Sequence, residues 1–243
     1  MAGKPKGFTL IELMIVIAVI AVIAAIAIPG LISSQRSSYE RGASTSMKTI
    51  AVAESDFKVN DRDGNHVTDF WTGDVKGLYT MTNCSVSGRG GGTTDPPIRL
   101  IELTLASADT DGTTIAAGGE NMDLTNFAVF SAKAGYWYAA MTMDNSVSGA
   151  AEATYKVDTG GTPTMGSVHN TSKFGFFSFP DAQTFGRFVY ILNENNTIYR
   201  SALTGTARMG AAVPPGIAGT GFATVYQNWP DDTAMKSYWA KLD

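Results

Sequence analysis

From Phe8 to Ile28 the chain runs through 21 residues that are apolar except for Thr9 and Glu12. As a helix rising about 1.5 Å per residue, such a run spans about 31 Å, close to the hydrocarbon core of a bilayer. It is longer than the roughly 7–15 apolar residues of a signal-peptide core. Lys4 and Lys6 precede it, and basic flanks stay cytoplasmic, so everything after Pro29 is expected on the far side of the membrane. Glu12 is the anomaly. A carboxylate in a membrane-length run costs roughly 3 kcal/mol at the bilayer centre and less near its edge, so it marks a function by default.

The surrounding residues say which function. Lys6-Gly7-Phe8-Thr9-Leu10-Ile11-Glu12-Leu13-Met14-Ile15-Val16-Ile17-Ala18, continued by Ala24-Ala25-Ile26-Ala27-Ile28-Pro29, resembles the N terminus of type IV pilins and of the pseudopilins of type II secretion systems. The resemblance covers about the first 30 residues. It implies that a membrane-embedded prepilin peptidase cuts between Gly7 and Phe8 and methylates the new amino group of Phe8. It also implies assembly through Phe8, Glu12 and Pro29, with the Glu12 carboxylate neutralising the N-terminal ammonium of a neighbouring subunit. The physics agrees: a buried carboxylate and a buried ammonium are each costly, and pairing offsets much of both costs. Many relatives have glycine, which lets the helix loosen in a filament, where this chain has Ala21; Pro29-Gly30 remains, where proline removes a backbone hydrogen bond and is expected to bend the helix. Two other readings of the run stay open. It could be an uncleaved anchor with Glu12 reaching for the interface. Alternatively, Ala25-Ile26-Ala27 could be a signal-peptidase site that releases a soluble protein.

Subtracting leader and anchor from 243 residues leaves more than 200, enough for one good-sized core. Charged residues make up 16% and glycines number 26, which suits a loop-rich extracytoplasmic domain, while 10% aromatics argue against disorder. The net charge of −4 would become −6 without the two leader lysines, and no basic stripe supports nucleic-acid binding. Cys84 is the single cysteine and cannot form an internal disulfide, whereas many type IV pilins carry a C-terminal disulfide loop.

The expected fold class is α+β: a long N-terminal helix packed on an antiparallel sheet. The expected divisions are a leader at 1–7, a helix at 8–59 (8–28 spanning the membrane, 29–59 amphipathic) and a head at 60–243. In the outer half of the helix, Tyr39, Ala43, Met47, Ile50, Ala53 and Phe57 recur at spacings of three and four and form one stripe. Arg36, Glu40, Arg41, Lys48, Glu54 and Lys58 are placed mostly off it, with Arg36 and Glu40 paired across one turn. Gly42 weakens the helix by about 1 kcal/mol relative to alanine. Beyond a glycine loop at 88–94, Asp95-Pro96-Pro97 looks like a helix start, leading into a helix over residues 98–107. Residues 126–131, 136–143, the run around Phe174, Phe176 and Phe179, and the pair 187–192 and 197–200 across Asn193-Glu194-Asn195-Asn196 predict a sheet of about four strands. Their aromatics are expected in the core facing the helix. Residues 205–228 read as an extended loop. Asp231-Asp232 caps a last helix carrying Met235, Trp239 and Leu242 on one face.

One loop carries metal chemistry as a candidate. In Asn60-Asp61-Arg62-Asp63-Gly64-Asn65-His66-Val67-Thr68-Asp69, the side chains of Asp61, Asp63, Asn65 and Asp69 offer hard oxygen ligands around a glycine turn, and a structural calcium would take six to eight such oxygens. The spacing is not that of an EF-hand, and a solvated turn explains the same residues. Calcium loops occur in major pilin-like subunits of type II secretion, usually nearer the C terminus, and residues 49–74 also resemble that group. With two histidines, one cysteine and no GxSxG, HExxH or paired-cysteine motif, the chain makes no case for an enzyme. Three classes compete: a filament subunit, a membrane-anchored binding module that never polymerises, and a tethered or released hydrolase. The first is favoured, as a type II secretion pseudopilus with a type IV pilus as the alternative. Its partners would be copies of itself, the prepilin peptidase, an inner-membrane assembly platform and the lipid bilayer. It would pass once through the inner membrane with its C-terminal domain in the periplasm, and enter an extracytoplasmic filament on assembly.

Overall fold

A computed structural model describes residues 7–82, 97–110, 124, 128–147, 153–161, 166–182, 184–202 and 228–242. The leader lysines, Cys84, the 88–94 loop, Asp95-Pro96 and residues 205–227 lie outside them.

Helix α1 (Leu10–Asn60) has 51 residues and continues without interruption through Pro29. Thr9 caps its start, and Asp61, in the left-handed region at φ 44°, ends it with a backbone N–H to the Phe57 carbonyl. Next to Pro29, the Ser34 hydroxyl donates to the Gly30 carbonyl at 3.0 Å. The two halves of α1 meet different surroundings. From Leu10 to Ile32 the large apolar side chains are 47–77% exposed. In the second half the predicted stripe is in place: Ala43, Met47, Ile50, Ala53 and Phe57 are buried, and Tyr39 packs against them from the rim.

The stripe is wider than predicted, because Glu40 and Glu54 are buried in it. Glu40 does not pair with Arg36. It accepts from Arg187 three times, from the backbone N–H at 2.9 Å and from Nε and Nη2 at 3.0 Å each. Arg36 instead donates to the Thr184 carbonyl at 3.4 Å. A carboxylate next to the packed face finds a better partner in the turn before a strand than in an exposed neighbour one turn away.

The sheet has five antiparallel strands in the order β2-β5-β6-β7-β9. They are β2 (Tyr136–Ala140), β5 (Gly175–Pro180), β6 (Phe188–Asn193), β7 (Ile198–Ala202) and β9 (Ala240–Leu242). The hairpin between β6 and β7 forms over 193–197, with Asn196 at φ 54°. Side chains alternate across the sheet. Tyr136, Tyr138, Phe176, Tyr190, Leu192 and Ile198 face α1, while Ala139, Phe177, Phe179, Val189 and Ile191 face a second cluster closed by Met141, Tyr155, Trp229 and Trp239. The aromatics are core, as expected, but those at 177 and 179 pack on the face away from the helix.

The shorter elements are β1 (Phe70–Trp71), which pairs with β4 (His169–Asn170), and β3 (Met143–Asp144), which runs parallel to β8 (Asn228–Trp229). Three short helices complete the described fold: α2 (Gly77–Thr80), α3 (Leu103–Ala106) and α4 (Asp232–Tyr238). Gly77 is fixed by contact, since a Cβ there would lie 2.4 Å from the Trp71 indole.

Several expectations need correction. The fifth strand replaces the end of the last predicted helix: α4, capped by Asp231 accepting from Ala234 N–H at 2.8 Å, stops at Tyr238, and Leu242 belongs to β9. Residues 98–107 are not one helix. Ile98 and Leu100 donate to the carbonyls of Met81 and Leu78, Pro97 bridges Thr82, and only Leu103–Ala106 is helical. Residues 128–132 form no strand. In the first two cases backbone pairing with a neighbouring segment outweighs local propensity.

Candidate functional site: the anchor tip and a buried acidic cluster

Gly7 and Phe8 precede α1 outside any helix or strand, and Phe8 is 91% exposed. Thr9 and Glu12 form a reciprocal capping box. The Glu12 Oε2 accepts from Thr9 N–H at 2.8 Å and from Thr9 Oγ1 at 2.7 Å, and Thr9 Oγ1 accepts from Glu12 N–H at 3.3 Å. Glu12 thus closes the helix start in the single chain while remaining exposed. The helix contains an 18-residue window of mean hydropathy 3.1, none of it buried, so by length and composition it can cross a membrane. Pro29 lies inside the same helix, 17 positions beyond Glu12.

The second constellation lies at the other end of α1. The turn after Asn60 passes through Asp61 (φ 44°), Gly64 (φ 69°) and His66 (φ 65°) and folds the loop back beneath the helix. Asp63, Asn65 and Asp69 are buried by this turn, while Asp61 keeps partial exposure and accepts from His66 N–H at 3.1 Å. Asn65 is occupied locally, its Oδ1 accepting from Val67 N–H at 2.6 Å. The fold keeps the four predicted ligands in contact, Asp61 beside Asp63 and Asn65 beside Asp69, and brings to Asp63 and Asp69 a residue the loop sequence could not indicate, His169 on β4. Donor atoms of Asp63, Asp69 and His169 all lie within 4.8 Å of one another.

His169 is fully buried, stacked on Phe57 at 6.0 Å and met edge-on by Trp71 at 5.4 Å. Its Nε2 lies 3.4 Å from Asp63 Oδ2. That approach is not an ion pair of charged groups, because burial pulls the imidazole pKa down to about 4, favouring the neutral ring. Burial likewise pushes the Asp63 carboxyl well up, with the adjoining Asp61 and Asp69 carboxyls adding to it. Asp69 is pushed up to about 6 by burial, against the lowering effect of the Thr159 hydroxyl, which donates to its Oδ2 at 2.6 Å. Asp69 Oδ1 and both His169 nitrogens are buried without a hydrogen-bond partner. Glu54 stands alongside, fully buried, accepting from Trp71 N–H at 3.0 Å and pushed well above the carboxylate range by burial. Glu54 had a sequence signal, since it lies four residues after Ile50 and three before Phe57. Thr159 and His169 had none.

Residues 3–28 match the family model described as the prokaryotic N-terminal methylation motif. The chain carries a prepilin-type N terminus, as type IV pilins and pseudopilins do, on an α+β architecture of long apolar helix and antiparallel sheet. No curated protein and no solved structure matches the chain.

Proposed function

We propose that this chain is a structural, non-catalytic subunit of a pilin-like filament, the pseudopilus of a type II secretion system. In this reading a prepilin peptidase cuts after Gly7 and methylates Phe8, and the apolar half of α1 holds the subunit in the inner membrane with the head in the periplasm. The anchors then bundle as the filament core. The observation that carries the reading is the combination at the tip of α1: a methylation motif on a helix whose apolar half has no partner among the described residues. Within a bundle of such helices, Glu12 would exchange its contacts with Thr9 for the Phe8 amine of a neighbour. A carboxylate buried there without that amine would be strongly unfavourable, so the pair sets the register of addition. The lone Cys84 and the aspartate loop at 61–69 favour the secretion machine over a type IV pilus.

Mass spectrometry of the native protein tests the processing step. A mature chain starting at methylated Phe8 is expected, with Gly7→Ala blocking it. A chain retaining Met1, or starting at Ile28, overturns the reading. Loss of the gene should abolish export through an outer-membrane secretin. Normal export with lost surface pili would assign the subunit to a type IV pilus instead. A correctly processed chain that never polymerises would identify a binding module.

A further inference from the structure

We propose that Asp63, Asp69 and His169 bind one divalent transition-metal ion of the zinc class, which ties the loop at the end of α1 to strand β4. The acidic loop alone would not support this. The second observation is His169, whose ring is 0% exposed and fixed between Phe57 and Trp71, with Nε2 turned to the carboxylates and neither nitrogen hydrogen-bonded. Leaving a buried polar group unpaired costs about 1–3 kcal/mol, so native interiors rarely do it.

The backbone of His169 is already committed, exchanging hydrogen bonds with Val157 at 3.1 and 2.8 Å. Only the ring is available. The 3.4 Å between Nε2 and Asp63 Oδ2 is long for a hydrogen bond. It equals the separation expected of two ligands around a tetrahedral ion with bonds of about 2.0–2.2 Å, which is about 3.4 Å. Asp69 has one oxygen held by Thr159 and the other, Oδ1, unpartnered, the arrangement of a ligating carboxylate oriented by an outer hydrogen bond. Asp61, whose carboxyl adjoins that of Asp63, can supply a further oxygen.

The donor set decides the ion. Calcium collects six to eight oxygens, whereas imidazole with a few carboxylates suits zinc and its neighbours. Two carboxylates and a neutral imidazole also balance a 2+ charge. All three ligands are buried, and Asp61 as a fourth would fill the tetrahedron, the closed coordination of a structural site.

The test uses the mature full-length protein in detergent, stripped with a chelator and titrated separately with zinc, manganese and calcium ions. Expected are one bound zinc per chain, a thermal midpoint raised by several degrees, and zinc affinity weakened at least tenfold in His169→Gln but unchanged in His66→Gln, whose ring is exposed. Should His169→Gln fail to fold, cobalt added to the stripped wild-type protein must give the visible absorption of a tetrahedral site. Absence of zinc binding, zinc binding indifferent to His169, or binding of calcium alone through Asp61, Asp63, Asn65 and Asp69 would each overturn the proposal.

Discussion

The two halves of α1 are one helix in two solvents. The first half shows apolar side chains around its whole circumference and has no partner among the described residues; the second hides one stripe against a sheet and shows charge elsewhere. The comparison teaches that continuity of backbone says nothing about continuity of purpose. Residues before about position 33 are exposed in the single chain, and residues after about position 38 pack within it.

The largest expected break in this symmetry is Glu12→Ala. Filament assembly should fall to background by electron microscopy, while the unfolding midpoint of the head stays where it was. A head that unfolds earlier would show that the anchor is not energetically separate. Next come paired truncations. Met47→Ala, at a fully buried position, should cost about 2–5 kcal/mol. Ile20→Ala, at a position 58% exposed, should leave head stability unaltered and weaken assembly only. Denaturant titration of both variants decides this. Smaller again is Arg187→Ala, which removes two of the three hydrogen bonds to the Glu40 carboxylate and leaves the one from the backbone N–H. Because Arg187 is half exposed, the loss should be about 1–3 kcal/mol, or roughly 2–12 °C in midpoint for a domain of this size.

The smallest effect concerns acid. Hydrogen bonds from Arg62 hold Asp56 below its usual pKa, and Lys133 does the same for Glu102. A depressed carboxylate stabilises the fold above its unfolded pKa of about 4, and this contribution disappears as pH falls through the lower folded value. Both pairs are partly exposed, so solvent screening keeps the effect small. Midpoints measured from about pH 6 down to pH 3 should fall slightly less steeply in Glu102→Gln than in wild type.

Much of this division is legible in the residues. The apolar run, its basic flank and Glu12 specify the anchor because a bilayer accepts few alternatives. The three-four spacing from Tyr39 to Phe57 specifies the packed half. Glu40 and Glu54 fall on the same spacing, but their charge alone assigns them to solvent, and only the arrival of Arg187 and Trp71 reverses that. Strand β9 is three residues beside a helix, too short for any alternation to declare itself. The acidic cluster is half legible: Asp63 and Asp69 stand out in their loop, whereas His169 reaches them through the pairing of β4 with β1, a long-range register that local spacing does not encode.

Pro29 has a mechanical consequence. At about 1.5 Å per residue, α1 is a rod of roughly 77 Å, and any pull on the head passes down its ladder of hydrogen bonds to the apolar end. Proline has no N–H, so the rung that would return to the Ala25 carbonyl is missing, and the Ser34 hydroxyl draws on the Gly30 carbonyl one turn further on. Under tension the rod would yield first at that point, which lies between the exposed apolar half and the half gripped by the head. The subunit can therefore lengthen there without loosening that grip.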